Sequence, residues 1–203
     1  DHLLTFVGYG NLNADVWFIG MEEGGGGEDN IRARLKFRQV EDLLEAHKSR
    51  GETKHHFGKK TIQRTWRGMC YVMLRLDGKE PDTESILNYQ ADHLGRFHRS
   101  SLLCELMPIP KPNIGSWGYE ELIPQYASRD KYYQVVKPRR IKYLQPLLSK
   151  HRPKTVICYG KKYWPDYQEL FCNLKFTSSG QFLVAQDMGR VVILTDHFTA
   201  RSM

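Results

Sequence analysis

The stretch Ala14-Asp15-Val16-Trp17-Phe18-Ile19-Gly20-Met21-Glu22-Glu23-Gly24-Gly25-Gly26-Gly27 decides the fold. Its first half is a short apolar run with β-branched and aromatic residues, the pattern of a strand covered on both faces. It then runs into two acids and four glycines, and a helix-like pattern begins near Asp29. A buried strand with this exit puts carboxylates at the C-terminal edge of a sheet, where open α/β folds build their sites. Glycines there tolerate unusual dihedrals and let a ligand approach the backbone.

Working outward, residues 102–106, 155–159 and 191–195 repeat the pattern of 16–20, and 181–185 reads as an edge strand. Helical periodicity predicts helices over 31–48 (apolar at Leu35, Val40, Leu43 and Leu44), 61–76, 138–149 and 161–172. Strands alternating with helices give an α/β class: a three-layer sandwich around a central, mainly parallel four-stranded sheet, as one domain over residues 1–203. The second strand leaves through Met107-Pro108-Ile109-Pro110-Lys111-Pro112, and alternating prolines dictate an extended, rigid exit. Residues 115–133, with Trp117, Tyr119, Tyr126, Tyr132 and Tyr133, read as an aromatic loop.

The 203 residues carry a net charge of +7 and a pI near 9.2, which favours an anionic partner, with DNA the leading one. The 23 acidic residues exclude a disordered polycation. Cys70, Cys104, Cys158 and Cys172 form no CxxC pair and are expected as free thiols in a reducing, cytoplasmic setting. No apolar run reaches membrane-spanning length, and neither a metal nor another cofactor is expected. His55-His56 lacks a third ligand at helical spacing. The expected state is a monomer. Two basic stretches, 54–64 and 137–142, are candidates to flank a nucleic-acid groove, where several phosphate contacts would make affinity steeply salt-dependent.

In a parallel sheet the strand ends converge. That would gather Glu22 from the first, Glu105 from the second and His197 from the last into one cleft. Three stretches in this order, Gly20-Met21-Glu22-Glu23-Gly24, Leu103-Cys104-Glu105-Leu106-Met107-Pro108-Ile109-Pro110 and His197-Phe198-Thr199, resemble the motifs of the uracil-DNA glycosylase superfamily across nearly the whole chain. The resemblance implies that fold, and a monofunctional DNA glycosylase that flips a base out of DNA and hydrolyses its N-glycosidic bond. It implies Glu22 and His197 as catalytic residues and Glu105, Gly20 and Met21 at the base. Gly24, Gly25, Lys111, Thr199 and Arg201 would meet the DNA backbone or the vacated stack. The sequence departs from the family pattern in three places: Glu23 stands for a usual proline, Phe198-Thr199 for Pro-Ser, and Glu105 for the base-reading Asn. The cysteine spacing does not suit the cluster that some branches carry.

Cleaving an N-glycosidic bond builds positive charge on the sugar and negative charge on the base, by analogy with other glycoside hydrolysis. A carboxylate serves the first and a hydrogen-bond donor the second. The Asn-to-Glu departure bears on which base. An amide matches the acceptor and donor of uracil, whereas a carboxylate only accepts and suits the amino group of cytosine. A protonated Glu105 would also donate to cytosine N3. Gly24 to Gly27 cannot block a 5-substituent, and relatives in this superfamily remove glucosylated hydroxymethylcytosine from phage DNA as a defence. Three other readings stay open. One is a glycosylase that repairs uracil or another deaminated base. A second is a metal-dependent nuclease built on Glu22, Glu23, Asp29 and Asp187. The third is a non-catalytic nucleic-acid-binding module.

Overall fold

A computed structural model describes residues 2–111 and 117–200. Its strands are β1 (Gly8–Gly10), β2 (Val16–Gly24), β3 (Val40–Glu41), β4 (Ser101–Lys111), β5 (Thr155–Tyr159), β6 (Thr177–Ser179), β7 (Phe182–Asp187) and β8 (Arg190–Thr195). Its helices are α1 (Glu28–Arg34), α2 (Leu43–Lys48), α3 (Arg64–Leu76), α4 (Thr83–Asp92), α5 (Arg129–His151) and α6 (Trp164–Leu170).

The α/β class holds, but the sheet differs from the expectation of four mainly parallel strands. It is mixed and eight-stranded, in the order β3-β1-β4-β2-β5-β8-β7-β6. The four strands legible in the sequence form its contiguous parallel centre, β4-β2-β5-β8. One margin adds β1, antiparallel to β4, with β3 outside it; the other adds the antiparallel run β8-β7-β6. β1 escapes a propensity reading because Gly8-Tyr9-Gly10 is two-thirds glycine. Those glycines are required by proximity. A Cβ on Gly8 would stand 1.8 Å from the carbonyl oxygen of Leu103, and one on Gly10 would stand 2.3 Å from that of Ser101. Gly8→Ala is therefore expected to lower the unfolding free energy by more than about 2 kcal/mol, read by chemical denaturation. A loss near zero would show that β1 contributes nothing to the cooperative unit.

The expected helix over 31–48 is two helices. Val40–Glu41 pairs in parallel with β1, and Asp42 then caps α2 by accepting from the N–H groups of Leu44 and Glu45. α5 begins nine residues before the expected 138, at Arg129, where the Ser128 side chain caps it, and it carries Pro138 and Pro146 inside. Of the aromatic stretch, Trp117, Tyr119, Tyr126 and Tyr132 pack as core. Trp117 lies 4.8 Å from Tyr132, ring centre to ring centre, and donates to the Tyr126 carbonyl. α4, capped by Asp82, and α1, with Glu28 and Asp29 in its first turn, complete the helices.

Two cores cover the sheet. One joins Trp17, Ile19 and Met21 to α5 and α6; the other joins Val16 and Phe18 to α2, α3 and α4. This is strand alternation acting on β2. Among the described residues no helix is long and apolar enough to cross a membrane.

Candidate functional site

Beyond Glu22 the alternation breaks. Gly20 pairs with Glu105 and Glu22 with Met107, but Gly24 pairs with Lys111, so β4 spends four residues where β2 spends two. Pro108 and Pro110 cannot donate to the ladder, and the Ile109 N–H goes to the Tyr132 hydroxyl at 3.0 Å. Such irregularities re-aim side chains near sites. Here consecutive acids are sent to different partners. Glu22 lies 3.1 Å from Arg129 Nη2 and 3.6 Å from Lys111 Nζ, beside Tyr133. Glu23 lies 2.6 Å from Arg34 Nη2, with the Tyr9 hydroxyl donating to it at 3.1 Å. The glycine loop that follows is held in place: Tyr119 accepts from the Gly27 N–H and donates to the Pro110 carbonyl, and a Cβ on Gly26 would stand 2.3 Å from that hydroxyl.

A cavity of about 410 Å³ opens on the α2–α4 face of the sheet edge. Its floor carries Glu105, Glu23 and Tyr159, and its wall Tyr9, Arg34, His47 and Trp66. Gly24 and Gly25 lie at its margin, and a Cβ on either meets nothing within 4 Å. Glu105 Oε1 accepts from the Tyr159 hydroxyl at 2.9 Å, while Oε2 is buried and finds no hydrogen-bond partner among the described residues. Burial, then the neighbouring charge of Glu23, pushes the Glu105 carboxyl up to about 8. Burial acts the same way on Glu23, but Arg34 outweighs it and holds that carboxyl below its ordinary range. Two cavity carboxyls are thus driven apart in protonation, the signature of groups with different tasks. Arg34 itself is 1% exposed, donates to Asn30 and Tyr9, and stacks against Phe6 and Phe37.

No protein-family model and no curated protein matches this chain.

The expected site residues fall into three places. Glu105, Gly24 and Gly25 line the cavity; Gly20, beneath the Glu105 carboxyl, and His197, exposed with its ring edge-on to Tyr159 at 5.4 Å, contact its lining residues without lining it themselves. With His197 Nδ1 accepting from the Thr199 N–H at 3.2 Å the ring proton sits on Nε2, and burial lowers the imidazole below its ordinary pKa. Thr199 is exposed and its hydroxyl lies 2.7 Å from the same nitrogen. Glu22 and Met21 do not line the cavity: Met21 points into the α5 core, and Glu22 sits in its ion pair with Arg129. Lys111 is buried beside Glu22, so its ammonium is directed inward and not toward a phosphate. Arg201 lies outside the described residues.

Of the basic stretches, 54–64 reaches the cavity through Lys54 and His55. In 137–142, Lys137 pairs with Asp166 and Glu169, and Arg140 is buried, donating to the carbonyls of Leu4, Glu105 and Leu106. Among the aromatic rings, Trp66 lines the cavity and has a face to offer a base, whereas Trp17, Phe37 and Trp117 are buried in the cores. The four acids of the nuclease reading are dispersed: Asp187 pairs with Arg190 on the β7–β8 hairpin, and no cluster of three or more His, Cys, Asp or Glu placed to hold a metal occurs among the described residues. No sequence motif singles out Tyr159, Arg34 or Tyr9. Tyr159 alone had a signal, as the last strand residue before Gly160.

Proposed function

We propose that this protein is a DNA glycosylase that extrudes a cytosine-type base, including one with a bulky 5-substituent, and hydrolyses its N-glycosidic bond in the cytoplasm as a monomer. The observation that carries the reading is the Glu105 carboxyl, buried in the cavity floor with one oxygen bonded and the other without a hydrogen-bond partner among the described residues. A buried polar atom without a partner costs free energy, which a ligand group can recover. Protonated, this carboxyl offers a donor beside an acceptor and complements N3 and the N4 amino group of cytosine. Uracil presents the opposite pattern.

The cavity supports the same reading. Its 410 Å³ lies within the roughly 300–1,000 Å³ of pockets that hold drug-sized ligands, more than a flat base fills. The open side at Gly24 and Gly25 gives room for a substituent. Trp66 supplies an aromatic face for stacking. His197 offers Nε2–H as the donor to the departing base. The carboxylate facing the cationic sugar is assigned to Glu23, the ionised acid that lines the cavity, in place of Glu22. Glu23→Gln should then cost far more activity than Glu22→Gln, and the reverse order returns the role to Glu22.

The deciding experiment is excision from duplexes carrying cytosine, 5-hydroxymethylcytosine, its glucosylated form or uracil, read as alkali cleavage at the abasic site. Abasic product from a cytosine-type base supports the proposal. Excision of uracil with no action on any cytosine-type base sinks it, as does strand cleavage that requires a divalent metal.

A pH dependence follows with a definite sign. The required Glu105 proton is present below its folded-state value of about 8 and lost above it, so kcat/KM for a cytosine-type base should fall tenfold per pH unit beyond about 8. Because that value is raised by folding, the folded chain binds this proton more tightly than the unfolded one. Stability should therefore decline as pH rises from the ordinary carboxyl value of 4.5 to about 8, and level off above it. A flat rate profile between pH 7 and 10 would exclude a protonated Glu105 from the reaction.

A further inference from the structure

We propose that Tyr159 is a positioning and specificity residue, whose phenol holds the Glu105 carboxyl in one orientation so that Oε2 presents the donor and Oε1 the acceptor to the base. The proposal deepens the glycosylase reading and rests on it for its functional consequence. Its geometric part stands on contacts in the protein.

A carboxyl on a flexible side chain turns about its last torsion over a broad, two-fold profile, so its two oxygens are normally interchangeable. In this site they are not. The Tyr159 hydroxyl donates to Oε1 at 2.9 Å, and the two groups meet directly above Gly20, where a Cβ would stand 2.2 Å from Glu105 Oε2 and 2.3 Å from the phenol oxygen. Tyr159 is itself fixed. It is the last residue of β5, its carbonyl accepts from the Tyr167 hydroxyl at 2.9 Å, and its ring packs on Phe198 at 5.2 Å and on His197. Gly160, at φ 113°, turns the chain away immediately after it.

The chemical consequence is directional. A protonated carboxyl whose Oε1 already accepts from the phenol carries its proton on Oε2. The carboxyl then offers a donor at Oε2 and a second lone pair at Oε1, in fixed order. A base with an acceptor at N3 beside an amino group fits that order, and a base with N3–H meets a donor with a donor. The same phenol ties the base reader to the histidine, since the ring that orients Glu105 is the one His197 packs against. Removing the hydroxyl frees the carboxyl to turn and to protonate on either oxygen, so the order is lost while the cavity shape is kept.

Glu105 is faced by Glu22 and Glu23 from β2, Arg34 from α1, Arg140 from α5, Tyr159 from β5 and Tyr167 from α6, with Cys104 on its own strand. Among these, Tyr159 acts on the carboxyl by donating a hydrogen bond, which favours the ionised form. The test is Tyr159→Phe, which keeps the ring and its packing. In protein with carboxyl-13C-labelled glutamate, the Glu105 resonance, assigned by its absence in Glu105→Gln, should titrate at a pH higher by ~0.5 unit or more in Tyr159→Phe. The same variant should lose about tenfold or more in kcat/KM on the cytosine-type base, and its preference for that base over uracil should narrow.

An unshifted titration in a folded Tyr159→Phe protein overturns the positioning role, whatever the activity. An unchanged base preference overturns the specificity role. If the wild type excises no base yet the titration shifts, the glycosylase reading falls and the positioning of Glu105 by Tyr159 stands.

Discussion

Glu105→Asn is expected to lower kcat/KM on a cytosine-type base by at least ~100-fold and to raise activity on uracil. The first half follows from the loss of an ordered donor and acceptor at a buried position. Sites built around such groups discriminate strongly, because a mismatched partner leaves buried polar atoms unpaired. A hundredfold is about 2.7 kcal/mol of transition-state stabilisation, which two misaligned hydrogen bonds readily account for. The second half follows from the amide, whose N–H and C=O suit uracil O4 and N3–H. Asn is also one methylene shorter, so its amide sits lower over Gly20 and further from the Tyr159 hydroxyl that now reaches Oε1. Single-turnover excision on both substrates measures the change. A variant with the base preference of the wild type would remove Glu105 from base recognition, and with it the observation on which the proposed function stands.

The second large effect concerns stability. Arg34 is buried to 1% exposure, and its guanidinium meets Glu23 at 2.6 Å, Tyr9 at 3.0 Å and Asn30 at 2.6 Å. Arg34→Ala would leave the Glu23 carboxylate with its main counter-charge gone and would empty the space between Phe6, Tyr9 and Phe37. Breaking a buried pair from one side costs about 3–5 kcal/mol, which in a chain of this size lowers Tm by roughly 10 °C. Removing both charges should cost less than the sum of the single changes, so Glu23→Gln combined with Arg34→Met completes a double-mutant cycle with a coupling energy above ~1 kcal/mol. The cost should also depend on pH with a known sign. The Glu23 carboxyl is held below its ordinary range in the folded chain, so the network is at full strength at neutral pH and fades as pH falls through that lowered value. Single and double variants with additive effects would mean that water, not Arg34, sustains the Glu23 charge.

Both experiments act on one cavity, and they separate its two kinds of carboxyl. Glu105 is kept neutral by burial and by a neighbouring acid, and Glu23 is kept charged by a buried guanidinium. Their Cα positions lie on adjacent, hydrogen-bonded strands, so one short stretch of sheet edge holds both.

How much of this was legible before the fold is clear from particular residues. Residues 16–20 were readable as a buried strand because Val16, Trp17, Phe18 and Ile19 are apolar in succession, a local pattern needing no partner. The same holds for β4, β5 and β8, and so for the parallel centre of the sheet. β1 was not readable, because its glycines are explained only by the backbone of β4 passing within contact distance. The periodicity over 31–48 does not show the break in that helix, since the break depends on Val40–Glu41 finding β1.

At the site the division is sharper. The amino-acid sequence by itself determined that acids, glycines and a histidine would gather at the C-terminal edge of a parallel sheet, because strand direction carries every strand end to that edge. Which face each side chain reaches was decided only in the tertiary structure. The irregular pairing opposite Pro108 and Pro110 turns Glu22 toward Arg129 and Glu23 toward Arg34, and the cavity between Glu23 and α3 exists only once distant segments pack. Alternation along a strand is a local property, whereas a ladder's register and the space left beneath a helix depend on residues far away in the chain.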